Sequence, residues 1–194
     1  MRCIVSVIVG TVKSRMPIEN EWKFVLENDG NLEPRLAQAP GVTRGLIVQA
    51  YLDSPGVRLR VVELGGKRHH IFTYKRQVEG EVVEIETYIS ADDFQRLWKL
   101  RKETLQKVRY SWPDGRFGWD VDFFKSTDGS TYFVMAEVEM PAGDMKPPPL
   151  PPRLASHSIF AVPYGDARFT SKRIANRAHA EALMAEIQEK GEAA

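Results

Sequence analysis

Between Ile18 and Met140 the chain is a succession of short segments in which polar and apolar residues alternate, each closed by a turn signal. The segments are Ile18 to Leu26, Leu46 to Leu52, Val57 to Leu64, His69 to Arg76, Glu81 to Ile89, Gln106 to Trp112, Gly118 to Phe124 and Thr131 to Glu139. Between most of them lie Asn28-Asp29-Gly30, Ser54-Pro55-Gly56, Gly65-Gly66, Glu79-Gly80, Pro113-Asp114-Gly115 and Asp128-Gly129. Glycine supplies the positive φ of a tight reversal and proline a fixed φ. Alternation at period two between such turns specifies antiparallel strands joined as hairpins. A fold of mainly β character (α+β) follows.

Two helices interrupt or follow the meander. Ser90 with Asp93 three positions on resembles a capping box, and Phe94, Leu97, Trp98 and Arg101 keep a helical period over Ala91 to about Thr104. A second amphipathic stretch, Asn176 to Gln188, carries Leu183, Met184 and Ile187 on one side. Each helix is expected to lie on the apolar side of a sheet. Pro147 to Pro152 reads as a rigid connector, since proline lacks a backbone donor, and Ala155 to Phe169 as an irregular loop. Trp22, Trp98, Trp112 and Trp119 are expected to pack.

One face of the strands is charged throughout: Glu19, Glu21 and Lys23; Arg58 and Arg60; Thr73 and Lys75; Glu84 and Glu86; Lys107 and Arg109; Asp120 and Asp122; Glu137 and Glu139. Residues between them, among them Leu59, Val61, Phe72, Val121 and Val138, are apolar. Such a face either lies in water or lines the lumen of a closed barrel, where charges need each other, water, metal or a polyanion. Six lysine or arginine side chains suit phosphate oxygens, whereas carboxylates reach phosphate only through a cation. Hard oxygen ligands favour Mg2+ or Mn2+.

The remaining properties narrow the class. A net charge of +1 and 43% hydrophobic residues over 194 positions fit one domain with a core and no pull toward nucleic acid or anionic membrane. The apolar run Cys3 to Val9 is too short to span a bilayer, so a cytoplasmic protein is expected. Cys3 is the single cysteine and admits no internal disulfide. His69 and His70, at a hairpin tip, form no metal-ligand spacing with His157 and His179.

In order along the chain, the charged strands resemble the CYTH superfamily of triphosphate tunnel metalloenzymes. Glu19, Glu21 and Lys23 match its E-x-E-x-K signature, Gln49-Ala50-Tyr51-Leu52 its Q-G-Y-L segment, Val57-Arg58-Leu59-Arg60 its R-x-R strand and Thr73-Tyr74-Lys75 its T-x-K. Glu84-Ile85-Glu86, Lys107-Val108-Arg109, Asp120-Val121-Asp122 and Glu137-Val138-Glu139 follow in sequence. Val82 stands where many relatives carry a base, and Ile174 where the late segment ending in Asn176 has a tyrosine.

The resemblance implies a closed antiparallel eight-stranded barrel forming a tunnel, with helices packed outside it. Lys23, Arg58, Arg60, Lys75, Lys107 and Arg109 would bind phosphate; Glu19, Glu21, Glu84, Glu86, Asp122, Glu137 and Glu139 would hold Mg2+ or Mn2+. Glu19, Glu21, Lys23, Arg60 and Lys75 would be catalytic. The implied reaction is hydrolysis of a triphosphate, foremost inorganic tripolyphosphate, with closest similarity to the short bacterial triphosphatases. Adenylate cyclase and thiamine-triphosphatase activities of the same superfamily, and non-catalytic binding of polyphosphate or nucleotide, stay open, as does a homodimer. Because the signature usually starts a chain, residues 1–15 are expected to be a disordered extension or to precede a natural start at Met16, leaving 16–194 as one tunnel domain.

Overall fold

The computed structural model describes residues 20–79, 81–141, 144 and 146–192. Glu19, Met16 and the segment 1–15 lie outside the described residues, and so does the side chain of Val82. Among the described residues, nine strands make one antiparallel sheet: β1 (Glu21–Leu26), β2 (Thr43–Leu52), β3 (Val57–Leu64), β4 (Lys67–Val78), β5 (Glu81–Tyr88), β6 (Arg101–Asp114), β7 (Phe117–Lys125), β8 (Thr131–Glu139) and β9 (Ser158–Ala161). Five α-helices accompany them among the described residues: α1 (Leu32–Gln38), α2 (Ala91–Trp98), α3 (Pro152–Ala155), α4 (Ser171–Ile174) and α5 (Arg177–Glu192).

The strand order is β5-β4-β3-β2-β6-β7-β8-β1-β9, so the sheet is mainly antiparallel β as expected but has nine strands and two edges. The expected eight-stranded ring would have to join β5 to β1. That edge of β1 is occupied by β9, through Phe24 to Ala161 and Val25 to Phe160. β9 arises inside Ala155 to Phe169, the segment expected to be irregular; its strand state is imposed by β1 rather than by local alternation. β6 likewise begins at Arg101, inside the expected helix. There β2 takes the backbone groups of residues 101–104, pairing Leu52 with Arg101 and Ala50 with Thr104, and α2 stops at Trp98, where Leu100 N–H bonds to the Leu97 carbonyl.

The two faces have different partners. On the outer face, α1 and α3 cover β1, β6, β7 and β8 over Phe24, Val108, Trp112, Trp119, Val121 and Ala136. α2 covers β2 to β4 through Phe94 against Leu52, Leu59 and Val61. Its N-terminus has the expected cap, with Ser90 Oγ accepting from Asp93 N–H at 3.0 Å. α1 was not foreseen; Asp29 Oδ1 accepts from the N–H groups of Asn31 and Leu32, and the i, i+4 pair Leu32 and Leu36 anchors the helix.

α5 departs from expectation in its side of the sheet. Ala180, Leu183 and Ile187 pack on Val25, Leu105, Phe124, Phe133 and Met135. By period two these share the face of Lys23, Lys107, Asp122 and Glu137. The C-terminal helix therefore caps one end of the charged face instead of covering the apolar one. None of the described helices is long and apolar enough to cross a membrane.

Candidate functional site

Strand register places the charges on a diagonal across the sheet. Lys23 pairs with Glu137, Glu137 with Asp120, and Asp120 with Ser111. One step along β6, Arg109 pairs with Asp122; further along, Lys107 faces Ile47, and Gln49 faces Arg60. Beyond β3 the row continues as Arg58 with Thr73, Thr73 with Glu86 and Lys75 with Glu84. A staggered row of this kind accompanies coiling of a sheet. Side chains two strands apart also meet: Arg109 on β6 reaches Glu137 on β8 at 2.9 Å, and Arg58 on β3 reaches Glu84 on β5 at 3.4 Å. The face is a trough, with apolar residues under α5 on one side of the diagonal.

Two charge clusters line it. In the first, Asp122 is fully buried and accepts from Lys107 Nζ at 2.5 Å and from Arg109 Nε and Nη2 at 2.6 Å each. Arg109 Nη1 donates to Asp120 at 2.6 Å, and Ser111 Oγ to the same carboxylate at 2.5 Å. Lys23 Nζ bridges Glu21 and Glu137 at 2.6 Å. In the second cluster Arg60 pairs with Glu86, Thr73 Oγ1 donates to Glu86 at 3.2 Å, and Lys75 lies 3.5 Å from Glu84.

Gly56 sets the approach of β3 to β4. At its φ of +83° a Cβ would stand 2.3 Å from the Lys75 carbonyl oxygen, while Lys75 N–H bonds to the Gly56 carbonyl at 2.8 Å. The close approach holds the first residues of β3 against the later part of β4, where Arg58 pairs with Thr73 two residues before Lys75.

Burial and neighbours set the protonation of the trough. Burial opposes charge on Lys23, yet Glu137 and Glu21 outweigh it and hold the ammonium above its ordinary range. The same balance, burial against Lys23 and Arg109, holds Glu137 well below the usual carboxylate range. Burial, with Arg109 next, lowers Lys107. Burial and the adjacent Arg58 push Arg60 down to about 10 despite Glu86. Burial raises Asp120.

The structure brings together Lys23, Glu21, Glu137, Lys107, Arg109, Asp120 and Asp122 in one cluster and Arg58, Arg60, Lys75, Glu84 and Glu86 in the other. Glu139 faces Glu21 across β1 and β8 and is exposed. Two further residues belong to the site. Ser111 holds Asp120, and Tyr51, its hydroxyl 2.5 Å from Gln49 Nε2, is raised to about 12 by burial. Period two along their own strands was the signal for both, since Ser111 follows Lys107 and Arg109, and Tyr51 faces Arg58.

Among the described residues no three His, Cys, Asp or Glu side chains form a ready metal-binding group. Lysine and arginine occupy several of the carboxylates. The donor set suits a hard divalent cation in kind, with Glu21 and Glu139 direct cross-strand partners and Glu137 beside Lys23.

This chain superposes on the inorganic triphosphatase NE1496 with a TM-score of 0.50 and 23% identity, over 82% of this chain and 95% of that one. It has the fold of that triphosphatase. The PH1819 protein of Pyrococcus horikoshii OT3 matches with a TM-score of 0.45 and 13% identity, over 88% of this chain and 89% of its own. No family model matches the chain, and no curated protein sequence does. The resemblance inferred from the ordered motifs is thus met at the level of fold.

Proposed function

We propose that this chain is a metal-dependent triphosphatase of the triphosphate tunnel superfamily that cleaves inorganic tripolyphosphate to pyrophosphate and phosphate. The observation that carries the reading is the pair of guanidinium Nε atoms of Arg58 and Arg60, both buried and without a hydrogen-bond partner on the charged face. A buried donor left unpaired is costly, and a phosphate oxygen would satisfy it. Lys23, Lys75, Lys107 and Arg109 share that face and complete a set of six cations for a chain of phosphates.

Glu21, Glu84, Glu86, Asp122, Glu137 and Glu139, with Glu19, are the acids that would hold Mg2+ or Mn2+. The cation would neutralise phosphate charge and let these carboxylates and the substrate share one trough. Arg58 and Arg60 orient the substrate and stabilise charge on the transferring phosphoryl group, while a carboxylate of the acid set orients the attacking water. Water adds to the terminal phosphorus as the phosphoanhydride bond breaks, leaving pyrophosphate and phosphate. The substrate is a small triphosphate, neither nucleic acid nor membrane.

Purified protein assayed with tripolyphosphate, ATP and thiamine triphosphate, each with Mg2+ and Mn2+, tests the reading. Metal-dependent release of phosphate from tripolyphosphate, lost in Glu139→Gln and on chelation, is the expected result. Binding without turnover, or cyclic nucleotide from ATP as the main product, would overturn it.

A further inference from the structure

A cavity of about 320 Å³ lies on the outer face of the sheet between α1 and α3, on the side away from the charged trough. Leu32, Leu36 and Ala39 give it an apolar wall; Arg35, Gln38 and Arg153 give it polar groups, and no acid lines it. Leu32, Arg35, Leu36 and Ala39 follow the i, i+3, i+4, i+7 spacing of one helix face.

The two arginines are held differently. The Arg153 guanidinium lies over the Trp112 ring, 4.9 Å from its centroid. Stacking satisfies the face of a guanidinium but not its in-plane N–H groups, and Arg153 Nη1 is buried with no hydrogen-bond partner. Arg35 Nη1 lies 3.1 Å from His157 Nε2. Arginine has no acceptor, so that nitrogen accepts and the His157 proton sits on Nδ1, toward Asp29 Oδ2 at 3.7 Å. His157 thus fixes one end of the Arg35 fork at the edge of the cavity that Arg35 lines.

We propose that the α1–α3 cavity binds a small organic anion, a carboxylate on a short aliphatic body, with Arg35 and Arg153 gripping the carboxylate above Leu32 and Leu36. Two guanidinium forks match a carboxylate. The aliphatic wall takes the body, and the volume lies in the range of small-molecule sites. A free inorganic anion would leave that wall unfilled.

Calorimetric titration of the full chain with hexanoate, hexan-1-ol and inorganic phosphate tests the site. Hexanoate is expected to bind at one saturable site, with hexan-1-ol and phosphate each at least tenfold weaker. Arg153→Gln and, separately, Arg35→Gln should weaken hexanoate at least tenfold, while Arg60→Gln in the trough leaves it unchanged. Circular dichroism melting selects the variant that keeps its fold. Equal binding of hexan-1-ol, loss of hexanoate in Arg60→Gln, wild-type affinity in a folded Arg153 or Arg35 variant, or no binding at millimolar hexanoate would overturn the proposal. None of these outcomes depends on triphosphate turnover.

Discussion

Replacing Asp122 with asparagine asks whether the trough is held in shape by its own charges. Asp122 is fully buried and accepts three hydrogen bonds of 2.5 to 2.6 Å from Lys107 and Arg109. Asparagine keeps the volume but removes the charge and turns one acceptor into a donor facing N–H groups. Removing one partner of a buried ion pair costs about 3–5 kcal/mol. Arg109 keeps Asp120 at 2.6 Å and Glu137 at 2.9 Å, so its charge stays matched and the loss falls mainly on Lys107, which is 4% exposed. The expected cost is therefore at the lower end, about 3 kcal/mol. For a chain of this length 1 kcal/mol corresponds to roughly 2–4 °C, giving a fall in Tm of about 6–12 °C.

Calorimetry and urea unfolding of wild type and Asp122→Asn at neutral pH give the number directly. Lys107→Met/Asp122→Asn should cost less than the sum of its single variants, because the second change removes the cation stranded by the first. Metal-free tripolyphosphate should raise Tm more in Asp122→Asn than in wild type, since a polyanion restores the missing charge. A Tm loss under about 2 °C, or strict additivity of the two substitutions, would show that the Lys107–Asp122 contact carries no such energy.

Other substitutions probe the remaining parts. Glu137 has a folded pKa below its ordinary value, so the stability it contributes is full above about pH 4.3 and lost as pH falls through the folded value. The urea midpoint gap between wild type and Glu137→Gln should thus be widest at pH 6–8 and narrow below about pH 4; a gap constant with pH would refute this. Arg60→Gln should raise the KM for tripolyphosphate about tenfold or more and change stability by under about 1 kcal/mol, because burial already weighs against its charge. Unchanged steady-state kinetics would remove Arg60 from the site. Leu183→Ala, on the sheet-facing side of α5 and 4% exposed, should cost about 2–5 kcal/mol by thermal melting; a smaller loss would mean that the helix caps the trough without anchoring it.

What could be read from residues alone was whatever period two decides. Lys23 and Glu137 stand on one face because each alternates with apolar neighbours, and their salt bridge needs only that β1 and β8 pair in the observed register. β9 and the first residues of β6 could not be read that way. Ser158–Ala161 becomes a strand because β1 offers it an edge, and residues 101–104 leave the helical state because β2 extends past Gln49. Both are tertiary effects that override local preference. The side of the sheet taken by α5 is legible in part from the strands it packs on. Lys23 is followed at period two by Val25, Asp122 by Phe124, and Glu137 is preceded by Met135 and Phe133. A strand face that changes from charged to apolar along its length must have two environments, one open to charge and one covered. The amphipathic segment bearing Leu183 and Ile187 meets that apolar end in space. The alternation that marks the trough therefore also marks where it stops, provided each charged face is followed to the end of its strand.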